Sequence, residues 1–493
     1  MSNPVKTNKR ILALDILRGV TIAGMIMVNN PGTWAHIYAP LRHAEWNGLT
    51  PTDLVFPFFM FIMGISTYIS LKKYNFEFSR AVGMKILKRT ILIFLIGMAI
   101  GWFSKFCYYW TSPTEGISFG AQLWESVWTF DRIRILGVMQ RLALCYGATA
   151  IIALTVKHRN IPYLIATLLT GYFILLVCGN GFAYNDTNIL SVIDRTILTP
   201  AHMYKDNGID PEGLLSTIPS IAHVLLGFCV GRMMLENGKA NEDRESMLNS
   251  HLIKLFLAGT IFTFSGFLLS YGCPINKKIW SPTFVLTTCG LASSFLALLI
   301  WIIDVKGYKK WSLFFESFGV NPLFMYVLGG VLSILFGSIS FPWGASSISI
   351  HGFLYKILLM PVFGETGGSL AYALLFVGIN FTNERFISSY NRKTLKTNNM
   401  ILIADSGSTK TDWCVVEDGQ LIQQIFTKGT NPFFQSEEEI SNEIATALLP
   451  QLKTNALDAV YFYGAGCGFP DKIAMVHRAI TKHLQVKGEV EVN

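Results

Sequence analysis

Ten apolar runs, each close to the length of a bilayer crossing, occupy most of residues 13–384. A span needs about 20 predominantly apolar residues, and in hydrocarbon every backbone N–H and C=O must find its partner inside the segment, so runs of this kind fold as helices. The candidate spans are 13–30, 52–71, 85–104, 134–155, 161–180, 214–235, 252–271, 282–303, 319–339 and 367–384. A shorter apolar run, 350–363, contains Pro361 and reads as a re-entrant or interfacial piece. Charged residues make up 15% of the 493 and the mean hydropathy is +0.41, where soluble domains carry about a quarter charged residues. The expected fold class is mainly α: a polytopic membrane helical bundle.

Basic residues orient it. Lys6, Lys9 and Arg10 precede the first span; Lys72, Lys73, Arg80, Lys85, Lys88 and Arg89 follow the second. Lys157 and Arg159, Lys239 and Arg244, Lys306, Lys309 and Lys310, and finally Arg385, Arg392, Lys393 and Lys396 follow the fourth, sixth, eighth and tenth. With ten spans all these clusters fall on one side, and the positive-inside rule makes that side the cytoplasm. Both termini are then expected to be cytoplasmic, with 31–51, 105–133 and 181–213 outside. The net charge of +8 is accounted for by these clusters and gives no reason to expect nucleic acid. The first run is interrupted by Asp15 and Arg18 and lacks a small-residue cleavage site, so it reads as a retained span rather than a signal peptide. The eight cysteines form no CxxC pair. No metal site is expected in the membrane part, Cys145, Cys178, Cys229 and Cys289 read as core, and a Cys107–Cys273 disulfide is disfavoured.

One connector carries more chemistry than a turn requires. Between the first two spans, residues 41–57 hold His43, Glu45, Trp46, Asn47 and Asp53. Histidine accepts or gives a proton near neutral pH, Glu45 and Asp53 are near enough in sequence to orient it, and Asn29 ends the preceding span. The plainer alternative is a solvated histidine with Trp46 as an interfacial anchor. Asp15, Arg18 and Arg141 fall inside spans, where charges are functional candidates by default. Asp15 and Arg18, one turn apart, can neutralise each other. Arg18 and Arg141 stay open as ligand contacts, as does Asn321 at the start of the ninth span; His223 reads as a packing hydrogen-bonder.

Several motifs in order carry a resemblance. Leu14-Asp15-Ile16-Leu17-Arg18-Gly19, Met27-Val28-Asn29, His43 through Pro57, Arg134 through Leu142, Asp210 through Thr217 and Trp280-Ser281-Pro282 closely resemble the transmembrane heparan-α-glucosaminide N-acetyltransferases and their bacterial relatives, over roughly residues 10–390. The resemblance implies acetyl transfer from cytosolic acetyl-CoA across the membrane to the amino group of a glucosamine end, with His43 catalytic, as base or as acetyl carrier, and Asn29 beside it. It also suggests a homodimer.

After Lys396 the pattern changes to short strands and amphipathic helices, in the order βββαβα of a small cytosolic α/β ribonuclease-H-like lobe. The expected division is 1–396 and 400–493. Asp405 through Asp412, Gly429-Thr430-Asn431-Pro432 and Tyr463 through Cys467 resemble the first lobe of N-acetylglucosamine kinases of the BadF/BadG actin-like ATPase group. By that resemblance Asp405, Gly407, Ser408, Thr409 and Thr411 would serve phosphate and magnesium, and Asn431 the sugar. The kinase pattern continues past the point where this sequence stops, so the lobe is expected to be catalytically silent, with Mg-ATP a ligand only if the lobe were completed. Besides membrane lipid, the expected partner is an amino-sugar or glycan acceptor. The competing expectation for the whole chain is an N-acetylglucosamine transporter with its site among the intramembrane polar residues.

Overall fold

The computed structural model describes residues 12–492 except 113–115, 205, 236–243, 395–399, 408, 418–419, 454–456 and 465. Lys6, Lys9, Arg10, Lys239 and Lys396 of the charge pattern, and Ser408 of the tail motif, lie outside the described residues. The chain divides into two compact units, Met1–Glu384 and Arg385–Asn493.

The first unit is helical. Its helices are α1 (Leu12–Asn29), α2 (Pro51–Lys72), α3 (Arg80–Thr111), α4 (Phe119–Val127), α5 (Val138–Thr155), α6 (Ile161–Cys178), α7 (Ile189–Leu198), α8 (Thr217–Leu235), α9 (Arg244–Leu269), α10 (Pro282–Ile300), α11 (Ser312–Val320) and α12 (Pro322–Ser338). A two-stranded hairpin comes next, β1 (Ser340–Trp343) and β2 (Ser346–Ser349), then α13 (Ile350–Gly352), wide turns over Phe353–Leu359, and α14 (Met360–Thr394). Among the described residues nine helices are long and apolar enough to cross a membrane, and ten if α11 and α12 count together. Those two meet at 90°, because Pro322 cannot extend the helix before it; the straight span 319–339 is therefore corrected to a broken one. Helices α4 and α7 sit in the long connectors 105–133 and 181–213, and neither they nor the β hairpin is marked by the apolar pattern of the sequence.

The run 350–363 folds back on residues 365–372. Gly364 breaks α14 with φ 72° and ψ 179°, backbone angles open mainly to glycine. Across that break the Tyr355 hydroxyl donates to the Glu365 carbonyl at 3.2 Å, and the rings of His351 and Tyr372 lie 4.6 Å apart. Twenty-one residues of straight helix would separate such rings by about 30 Å. The segment is a helical hairpin, as a re-entrant piece would be.

Helices α1, α2, α5, α8 and α10 bury most of their surfaces around one core that includes Phe61, Phe228, Trp280 and Phe284. Glycine lets α2 and α8 approach: a Cβ on Gly64 would lie 2.1 Å from the Val224 carbonyl oxygen, and one on Gly227 2.2 Å from that of Phe61. Small residues at such seams are how apolar helices pack in lipid. Gly227→Ala is expected to destabilise the folded protein by about 1–3 kcal/mol in thermal unfolding of detergent-solubilised protein, whereas Gly337→Ala, with nothing within 4 Å of its Cβ, should change it little. Helix α3, by contrast, exposes Leu87, Ile91, Leu92 and Leu95, the apolar exterior suited to lipid.

All eight cysteines are free thiols. Cys145 and Cys289 are buried, Cys229 is half-buried, and Cys178, expected in the core, is exposed at the C-terminal end of α6.

The second unit is a five-stranded sheet with β3 (Met400–Ser406), β4 (Lys410–Glu417), β5 (Gln420–Lys428), β6 (Ala459–Gly464) and β7 (Val490–Val492), packed with α15 (Glu437–Glu443) and α16 (Pro470–His483). The spatial order is β5-β4-β3-β6-β7. The first three strands run antiparallel as a meander, and β6 and β7 join in parallel. Leu402, Trp413, Phe462, Val476 and Ile480 form its core.

Candidate active site

The connector between α1 and α2 is built around a buried carboxylate. Thr50 precedes α2 and Pro51 opens it, a position where proline's missing N–H costs nothing. Asp53, three residues on, reaches back to accept from the Thr50 amide at 3.2 Å and its hydroxyl at 3.0 Å, half of a capping box. The same carboxylate accepts from the Ala44 amide at 3.1 Å and lies 2.6 Å from His43 Nδ1. An ionised carboxylate only accepts, so Nδ1 donates to it, which leaves Nε2 as the ring nitrogen not taken up by that bond. His43 Nε2 has no protein partner among the described residues, and the side chain is 42% exposed while Asp53 is fully buried. Of the two carboxylates that the sequence offers for orienting His43, Asp53 hydrogen-bonds the imidazole, and Glu45 lines the same cavity without a hydrogen bond to it.

That cavity, of about 450 Å³, is lined by Asn29 from the end of α1, by His43, Glu45 and Asp53, and by residues that the sequence does not single out as a site: Arg134, Tyr204, Glu212, Lys277, Lys278 and Tyr326. The apolar pattern places Arg134 inside a span, but α5 begins at Val138, which frees it for the cavity. Its guanidinium bonds Asp210 and Glu212 and lies 4.9 Å over the Tyr204 ring. Burial disfavours the Arg134 charge, yet Glu212 and Asp210 outweigh it and hold its pKa above the ordinary arginine value. Lys278 pairs with Asp206 at 2.7 Å and the Tyr184 hydroxyl at 2.8 Å. Lys277 reaches Asp53 at 3.3 Å and His43 Nδ1 at 3.0 Å. Trp46 is a structural anchor: its indole donates to the Phe182 carbonyl at 2.9 Å and stacks on Tyr184 at 4.6 Å. Arg134 and the Asp210–Glu212 pair lie in two of the resemblance motifs, 134–142 and 210–217, and their opposite charges were the one available sign that distant connectors meet.

Three of the expected contacts lie elsewhere. Arg18 bonds Asp15 at 2.9 Å, Ser66 at 2.8 Å and the Gly319 carbonyl at 3.3 Å, tying α1 to α2 and α11 away from His43. Arg141 is buried; it bonds Ser216 and, at 3.1 Å, the Gly213 carbonyl, and lies 5.3 Å from the Trp280 ring. Asn321 marks the exposed break between α11 and α12. His223 donates through Nε2 to the Pro57 carbonyl at 2.9 Å, the packing role expected of it.

In the second unit the motif residues also converge. Asp405 is exposed near the end of β3, with Gly407 and Thr409 in the turn beyond it. Gly407 closes that turn by donating to the Lys410 carbonyl at 2.9 Å. Thr411 Oγ1 meets Ser406 Oγ at 2.6 Å, and Ser406 accepts from the Thr430 amide at 2.9 Å. This brings the turn against Asn431, whose side chain accepts from the Phe433 amide at 3.0 Å.

A family model for the catalytic part of heparan-alpha-glucosaminide N-acetyltransferase matches residues 10–260. The human heparan-alpha-glucosaminide N-acetyltransferase is 29% identical over 375 residues, covering 64% of this chain and 52% of that protein. The mouse protein is 27% identical over 397 residues, covering 69% and 56%. The chain therefore spans about half the length of the curated relatives it matches. Among solved structures, a putative N-acetylglucosamine kinase from Porphyromonas gingivalis shares 43% identity over 19% of this chain and 34% of its own, with a TM-score of 0.17.

Proposed function

The chain belongs to the heparan-alpha-glucosaminide N-acetyltransferase catalytic family, and from that premise we propose that it is a membrane N-acetyltransferase that moves an acetyl group from acetyl-CoA to the amino group of a glucosamine end. The observation that carries the reading is the Asp53–His43 pair, 2.6 Å apart at the wall of a cavity that Asn29 also lines. An amine attacks a thioester only after losing a proton. His43 Nε2 takes it as the C–N bond forms, and the thiolate of CoA leaves as the C–S bond breaks. In the two-step version Nε2 itself attacks and the CoA thiolate leaves as the C–S bond breaks; the amine then takes the acetyl group as the Nε2–acetyl bond breaks, and the freed Nε2 takes up the amine's proton. In both, the Asn29 amide, at the wall of the same cavity, donates to the carbonyl oxygen as its charge grows, a contribution of about 3 kcal/mol for one good donor. We place both termini on the cytoplasmic side on the charge pattern, and take the donor inside, the acceptor outside and a bacterial inner membrane from the resemblance to the family and its bacterial relatives.

For residues 400–493 we propose a ribonuclease-H-like lobe, supported by the β5-β4-β3-β6-β7 order. Homodimerisation remains a proposal of the same rank.

The test is direct. Purified full-length protein given labelled acetyl-CoA and glucosamine is expected to form an N-acetylated product in proteoliposomes. Uptake of N-acetylglucosamine without acetyl-CoA, insensitive to His43→Ala, would sink the enzyme reading in favour of transport.

A further inference from the structure

The carboxylate that orients His43 is shared with a third group. Lys277, in the connector between α9 and α10, brings Nζ within 3.3 Å of Asp53 Oδ1 and 3.0 Å of His43 Nδ1. Because Nδ1 already donates to Asp53, it cannot accept from the ammonium; Lys277 donates to the carboxylate and lies beside the ring as a positive charge. We infer that Lys277 is a positioning residue for His43: it fixes the Asp53 carboxylate and keeps the imidazole in its neutral, proton-accepting form.

The electrostatics have a definite sign. A carboxylate at hydrogen-bond distance favours the imidazolium, and an ammonium as close opposes it. With Asp53 alone, His43 would be drawn towards the protonated form, which can act neither as base nor as nucleophile. Lys277 sets a positive charge against the Asp53 carboxylate on the same side of the ring, while the Nδ1–H bond fixes the orientation of the imidazole. The other charged groups near Lys277 do not replace it. Glu212 is engaged by Arg134, Lys278 by Asp206 and Tyr184, and Glu45 adds a negative charge at the cavity wall. The Lys277 side chain is only 20% exposed, and burial holds its pKa below the ordinary lysine value, an effect that Asp53 and Glu212 oppose. Its position on the Nδ1 side, away from Nε2, separates this role from donation to the reacting carbonyl.

The consequence for catalysis rests on the acetyl-transfer reading; the effect on His43 does not, so the two are measured apart. Diethyl pyrocarbonate acylates only neutral imidazole, and the rate at His43 can be followed by peptide mass spectrometry on the full-length protein in detergent between pH 5.5 and 9. For Lys277→Met we expect His43 modification at pH 6 to fall about tenfold below wild type, corresponding to about one pH unit, with the gap closing by pH 8.5. Lys277→Arg should match wild type throughout. Acetyl transfer, if assayed beside it, should show the same pH-dependent loss and the same rescue. A Lys277→Met profile that overlies wild type overturns the inference even if acetyl transfer is found; a shifted profile without acetyl transfer upholds it and removes the proposed reaction instead. Lys277→Gln is the second neutral variant. If both neutral variants fail to fold, or lose activity equally at every pH, Lys277 serves the fold and the inference fails.

Discussion

Alanine at position 43 is expected to lower acetyl transfer by about 10²–10⁴-fold while leaving the protein folded. The imidazole is 42% exposed and its one close carboxylate has other donors: the Ala44 and Thr50 amides and the Thr50 hydroxyl. Removing the ring therefore takes away the proton acceptor without orphaning the buried group beneath it. Turnover measured beside the thermal unfolding midpoint separates the two effects. Transfer retained within a fewfold would remove His43 from the chemistry. Trapping distinguishes the mechanisms: protein exposed to labelled acetyl-CoA without acceptor, then acid-quenched, should carry label on the His43 peptide if the histidine is the acetyl carrier and none if it is the base.

Asp53→Asn is expected to be the second large loss, and for a different reason. The substitution keeps the shape but replaces an anion by an amide that can turn its N–H₂ towards Nδ1. The ring then carries its proton on Nε2, where the lone pair is needed; the same exchange in a catalytic triad costs about 10⁴-fold. Unlike His43→Ala, this change should also lower stability. Asp53 is fully buried and answers Lys277, which would be left with its anion gone, and breaking a buried pair on one side costs about 3–5 kcal/mol. An Asp53→Asn protein with wild-type turnover would show that His43 needs no carboxylate; one whose loss of rate merely tracks its loss of folded protein would reduce Asp53 to a helix cap.

These two residues were legible because they are local. Ten residues apart, on the connector and first turn of one helix, they meet through a cap whose sequence, Thr50-Pro51-Thr52-Asp53, is itself a helix-start signal. Asn29 was legible for the same reason, as the end of the helix that enters the connector. The opposite wall of the cavity was not. Arg134, Asp210, Glu212 and Lys277 come from connectors up to about 140 residues apart, and no periodicity says which connectors of a bundle meet. Arg18 and Arg141 show the converse: an intramembrane charge suggests function, yet Arg18 is spent tying α1 to α2 and α11, and Arg141 bonds Ser216 and Gly213. Arg18 meets the demand of a low-dielectric interior by hydrogen bonding within the protein, whereas Arg141 does so through one nitrogen only, its Nε and Nη1 being buried without a hydrogen-bond partner among the described residues.

By itself the sequence determined a mainly helical chain with many apolar helices, the change to an α/β unit near residue 400, and the placing of His43 near two candidate carboxylates, Glu45 and Asp53. Each comes from short-range physics, the cost of an unpaired backbone group in an apolar medium or the reach of a side chain along one turn. Only the tertiary structure decided the break at Asn321–Pro322, the reversal at Gly364, the choice of Asp53 over Glu45 as hydrogen-bond partner of His43, the protein partners of Arg18 and Arg141, and the arrival of Lys277 beside His43. Those depend on which helices pack together, and packing in an apolar medium is set by close fit at particular surfaces, as at Gly64 and Gly227, rather than by any pattern along the chain.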